Sequence, residues 1–108
     1  MAKYNVNSFD VSIVNETSTY DNSDITVVYA SLDLQGTTGN RSRMHKKFRL
    51  CSDLNVRSVE RIEQILNDGL SDALNNGNRF ELGLYPERSY VFFQFSGQEQ
   101  VKFSGNQI

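Results

Sequence analysis

The chain has 108 residues, 38% hydrophobic and 22% charged, with seven Phe and five Tyr, enough apolar material for one folded domain of ordinary size. That balance excludes a disordered chain, and the lone cysteine, Cys51, excludes an intramolecular disulfide. The net charge of -2 is unevenly placed: residues 1–35 carry -4, residues 36–49 carry +5 and residues 50–108 carry -3.

The opening Met-Ala-Lys-Tyr-Asn-Val-Asn lacks the apolar run of a signal peptide. No stretch approaches the ~18 apolar residues that span a bilayer. A cytoplasmic protein without a membrane partner is the expectation.

Alternation from Tyr4 to Val14 predicts a first strand, with Phe9, Val11 and Ile13 facing one way. Val6 is out of phase with that set, which places a bulge near Asn7-Ser8. Asn15 to Asp24 is polar and reads as a loop holding Tyr20. A second strand runs from Ile25 to Gln35, with Val28, Ala30, Leu32 and Leu34 on one face and Tyr29, Ser31 and Asp33 on the other. Gly36 to Asn40 has the composition of a hairpin turn.

The next segment, Arg41-Ser-Arg-Met-His-Lys-Lys-Phe-Arg49, holds five of the eleven Lys and Arg residues. As a strand it sets Arg43, His45, Lys47 and Arg49 on one face, against Met44, Phe48 and Leu50 on the other, with Lys46 as the exception. Asp33 could neutralise part of the row if the second and third strands form a hairpin. Between Ser52 and Asn76 the period changes. Val59, Ile62, Ile65, Leu66, Leu70, Ala73 and Leu74 recur every three or four residues and predict an amphipathic helix. Asp53, Asn55 or Ser58 would cap its start and Gly77 its end. Two aromatic strands follow, Phe80 to Leu84 and Ser89 to Ser96, joined by a turn at Pro86. A short sixth strand is drawn at Val101 to Phe103, which makes residues 1–103 a single domain and 104–108 a loose tail.

The expected class is α+β, mostly antiparallel, in the order β-β-β-α-β-β. It closes as an OB-like barrel or stays an open antiparallel sheet covered by one helix. In element order the chain resembles the OB-fold, the Greek-key barrel whose helix lies between the third and fourth strands. That resemblance implies binding on the outer face of the second and third strands and on the flanking loops. On this chain the implied site comprises Tyr29, Arg43, His45, Lys47 and Arg49, with Arg41 beside them, Tyr20 in one loop and Tyr85 with Arg88 in another. Phe92 would be an exposed ring.

Cations beside flat rings suit the phosphates and unstacked bases of single strands. The expected function is therefore binding of single-stranded nucleic acid, DNA ahead of RNA, with low sequence specificity. Homo-oligomerisation through the aromatic strand is also expected. The competing reading of the basic row is a solvated face or the charge protection of a sheet edge. The rival function is a non-catalytic protein-protein module, such as a phage or plasmid inhibitor or an immunity protein. Its patch would be the basic strand or Glu60, Glu63, Asp68 and Asp72 on the helix.

No catalysis, metal or cofactor is expected. His45 and Cys51 lie six residues apart, ~20 Å along a strand, which is beyond the reach of a Cys-His pair. No Walker, zinc or dinucleotide motif is present.

Overall fold

Period-two alternation over 16, 13 and 9 residues builds three consecutive strands, β1 (Ala2–Thr17), β2 (Asp24–Gly36) and β3 (Arg43–Cys51). They form an antiparallel meander in a computed structural model that describes residues 2–37, 42–51 and 58–108. The bulge anticipated near Asn7-Ser8 is present, because the β1–β2 register shifts between Val6 and Ser8. It brings Val6 onto the buried side, in line with Leu34.

Helix α1 (Val59–Asn76) starts at Ser58, whose side chain accepts a hydrogen bond from the Arg61 amide at 3.3 Å. It stops at Gly77, where φ is 67°. The other caps considered, Asp53 and Asn55, lie outside the described residues. Ile62, Leu66, Leu70 and Ala73 form the buried stripe, while Leu74, expected on it, is exposed.

A second meander follows: β4 (Phe80–Tyr85), β5 (Tyr90–Gln94) and β6 (Val101–Gln107). Two seams join the meanders. Ala2–Tyr4 of β1 pair with Phe80–Leu82 of β4, and Phe48–Cys51 of β3 pair with Ser104–Gln107 of β6. The strands thus close in a ring in the order β1-β2-β3-β6-β5-β4, with every neighbouring pair antiparallel. The α+β, mostly antiparallel expectation is met, in its closed form and with the sixth strand added.

The core lies between the ring's inner face and the helix. Phe93 sits at its centre, with the rings of Phe48, Phe80, Phe95 and Phe103 at centroid distances of 5.9, 6.1, 6.0 and 5.8 Å. Burying each such side chain stabilises the fold by about 1.5–3 kcal/mol. Gly69 lets the helix approach: a Cβ there would overlap the Phe95 ring.

Two boundaries differ from the sequence reading. Residues 104–107 are not a loose tail but part of β6, held by Phe48–Cys51 and, at Tyr90, by β5. A strand with few apolar side chains can still be fixed by the ladder on either side. Its Gly105 has φ 149°, and a Cβ there would meet the Arg49 carbonyl and the Leu50 backbone, so only glycine fits this seam. The polar loop is also shorter than expected. β1 continues to Thr17 and β2 begins at Asp24, which places Asn15 and Glu16 in the ladder, paired with Thr26 and Ile25.

Candidate binding surface

The basic row is extended, as its alternation requires, and points away from the core. Residues directly opposite in a ladder share a face. The β3 row therefore continues onto β2 through the pairs Arg43–Gln35, His45–Asp33, Lys47–Ser31 and Arg49–Tyr29. It continues onto β1 through Asp33–Ser8, Ser31–Asp10 and Tyr29–Ser12. Arg41, the remaining member of the proposed set, lies outside the described residues.

Much of the row's charge is compensated on the spot. Both Nε and Nη2 of Arg49 reach Oε1 of Glu16, at 2.9 and 2.7 Å. The Tyr29 hydroxyl donates to Glu16 Oε2 at 2.5 Å. These two side chains, the tyrosine foremost, hold the Glu16 carboxyl below the usual carboxylate value, and Arg49 and Glu16 are both only part-exposed. Four residues along, His45 Nδ1 lies 3.0 Å from Asp33 Oδ1, and the Ser8 hydroxyl donates to Asp33 Oδ2 at 2.8 Å. His45 first, then Ser8, lowers the Asp33 pKa. Counting histidine as neutral, Arg43, Lys47 and Arg49 face Asp10, Glu16 and Asp33 on this surface, so its described residues carry no net charge.

Arg43 and Lys47 are both exposed, and neither belongs to an ion pair among the described residues. Arg43 does act on Asp33 through space. The Lys47 ammonium lies over the Tyr29 ring, 5.3 Å from its centroid. Lys46, on the inner side, lies 5.8 Å from the centre of the Tyr4 ring.

The other proposed residues lie away from the row. Tyr20 is fully exposed between β1 and β2. The Tyr85 and Phe92 rings meet edge to face at 4.9 Å, which leaves Phe92 half-buried and not free for stacking. Arg88 is exposed in the turn between β4 and β5. The rings of β5 stand two strands from β3, roughly 10 Å away at ordinary strand spacing.

Residues not singled out from sequence complete the surface. Tyr90 lies under the Lys102 ammonium at 4.4 Å, and Tyr90 pairs with Ser104, the partner of Cys51. Leu84, Tyr85, Tyr90 and Val91 line an open groove of about 280 Å³, whose far wall is the end of β6 at Gly105–Gln107. On the helix, Asp72 accepts from Asn76 and Asn78 at 2.5 and 3.1 Å, so it serves the helix end. Glu60 and Asp68 are exposed. Among the described residues no group of three or more His, Cys, Asp or Glu could hold a metal ion. Nor is any described helix long and apolar enough to cross a membrane.

Fold and surface together define an α+β protein whose six strands form an antiparallel ring, with a charge-balanced outer face rich in tyrosine. Compared with models of protein families, with curated proteins and with solved structures, the chain matches none.

Proposed function

We propose that this chain is a non-catalytic protein-interaction module that uses the outer face of β1, β2 and β3. The observation that carries the reading is the balance, among the described residues, of three cations against three carboxylates on that face. Protein interfaces favour such surfaces: tyrosine and arginine anchors, with charges set for complementarity and not for bulk attraction. A polyanion would have to displace Glu16 from Arg49 before it gained that cation.

Low-specificity binding of single-stranded nucleic acid is the second reading, supported by Lys47 over Tyr29 and Lys102 over Tyr90. Those lysines cover the ring faces that bases would need. With Arg43 and Lys47 as the uncommitted cations of the row, the salt slope would be roughly 1.4, at about 0.7 per phosphate on single strands.

Fluorescence anisotropy with labelled oligo-dT at low and moderate salt separates the two. The protein reading expects no binding below micromolar concentration at low salt. Tighter, salt-dependent binding that a Lys47→Glu/Arg49→Glu double variant abolishes would replace it with the nucleic-acid reading. On the positive side, the intact chain should retain a protein from its native host that a Tyr29→Ala/Lys47→Glu variant loses.

A further inference from the structure

Resting on the protein-interaction reading, we infer that the partner of this face is a second copy of the chain. The copy docks end for end, so that each β1–β2 hairpin tip meets the other's arginine-bearing end. The described residues of the face sum to no charge, yet its two ends differ in sign. No Lys or Arg occurs from Tyr4 to Asn40, so from Tyr4 onward the hairpin carries acids alone. Its tip holds Asp21 and Asp24, both exposed and outside any ion pair among the described residues.

The opposite end is cationic. Arg43 of β3 pairs with Gln35 of β2, and Gln35 with Asn5 of β1. Arg79 comes next in that line, because Phe80 pairs with Tyr4 and Arg79 borders a depression together with Asn5, Gln35 and Thr37. Arg43 and Arg79 thus stand on either side of two carboxamides. Both are exposed, and neither belongs to an ion pair among the described residues.

Charge selects both the partner and its direction. A copy turned end for end sets Asp21 and Asp24 against Arg43 and Arg79, and a single two-fold axis makes that contact twice. Stacking in the same direction would set acid on acid and arginine on arginine. Complementary potentials of this kind steer the encounter and fix its register. Between the ends the face carries Ser8, Ser12 and Ser31, small side chains that let a second layer of strands approach.

The tip is shaped before contact. The Ser18 amide donates to the Ser23 carbonyl at 2.7 Å, and the Asn22 amide donates to the Ser18 carbonyl at 3.1 Å. Asp21 Oδ1 accepts from the Ser23 amide and hydroxyl at 3.1 and 2.6 Å. A loop already ordered loses little freedom on docking. Tyr20, fully exposed beside Asp21, is the kind of rigid aromatic side chain that anchors protein interfaces.

Sedimentation velocity on the full chain tests this. The unaltered chain should form a dimer whose dissociation constant rises at least tenfold from low to moderate salt. Asp21→Lys/Asp24→Lys and Arg43→Glu/Arg79→Glu, each keeping the parent's circular dichroism, should be monomeric alone, because every contact then opposes like charges. Mixed in equal amounts they should form a heterodimer, and a chain with all four changes should dimerise by itself. An unaltered chain that stays monomeric would overturn the inference. So would a dimer that survives both reversals, such as one made through aromatic β5, or a mixture that stays monomeric. The host protein that the intact chain retains is then its own native copy, which mass spectrometry identifies. The two claims fail differently. A monomeric chain that retains a different host protein through Tyr29 and Lys47 removes only the self-pairing. Tight oligo-dT binding removes the interaction reading itself.

Discussion

The two ends of β3 share one alternating sequence pattern yet live in different surroundings. At the Phe48–Cys51 end the strand has a neighbour on each side, its inner residues Phe48 and Leu50 are fully buried, and Arg49 is tied to Glu16. Along Arg43–Lys46, β2 is the only described strand that borders it, Met44 is half-buried, and Arg43 and Lys47 have no carboxylate partner among the described residues. One end holds the ring together. The other is stable enough to stay extended but leaves main-chain groups and charge uncommitted, which is where recognition can occur at little cost to the fold.

The contrast can be broken first at the core. Phe48→Ala should cost about 3–5 kcal/mol, whereas Met44→Ala, on the same inner face at the open end, should cost less than half as much. Chemical denaturation followed by circular dichroism compares them directly, and equal losses would erase the distinction between the ends. Next comes the seam. Gly105→Ala forces a side chain into the Arg49–Leu50 backbone at a φ that glycine alone tolerates, and should cost about 1–3 kcal/mol. It should also raise amide exchange at Arg49 and Cys51 before any change at β2.

The pH dependence sharpens the comparison further. The folded pKa of Glu16 is depressed, chiefly by Tyr29 and then by Arg49. Its stabilising contribution is therefore complete above the ordinary carboxylate range and is lost as pH falls through the depressed value. Glu16→Gln should flatten the acid limb of the stability curve in that window, with little change in its slope near neutrality. Acid unfolding of the two proteins at matched ionic strength is the check. The smallest effect is expected at the open end, where Arg43→Ala and Lys47→Ala should each change stability by no more than about 0.5 kcal/mol, as surface substitutions usually do. Arg49→Ala should exceed both, because it leaves the part-buried Glu16 carboxylate without its cation.

Much of this architecture could be read from the chain because local pattern and final environment agree. The three- and four-residue spacing of Ile62, Leu66, Leu70 and Ala73 announced the helix, and the out-of-phase Val6 announced the bulge. That Asp33 could neutralise part of the row followed once β2 and β3 were drawn as a hairpin, and its partner in the structure is His45. What stayed hidden depends on partners distant in sequence. Ser104 to Gln107 look like a tail because the ladder, not apolar side chains, makes them a strand. Glu16 sits in a run whose polarity suggests a loop, and nothing in local spacing links it to Arg49, 33 residues away. That single ion pair changed the reading of the basic row from an open cationic strip to a balanced face. The Lys102–Tyr90 contact was hidden for the same reason, since two strands must fold side by side before it exists.

Native-state hydrogen exchange along β3, read residue by residue by NMR, tests the difference between its ends most directly. The Arg43 and His45 amides should exchange at rates close to those of an unprotected chain, while Arg49 and Cys51, which face β6, should exchange only through global unfolding. Uniform protection from Arg43 to Cys51 would contradict the contrast between the two ends.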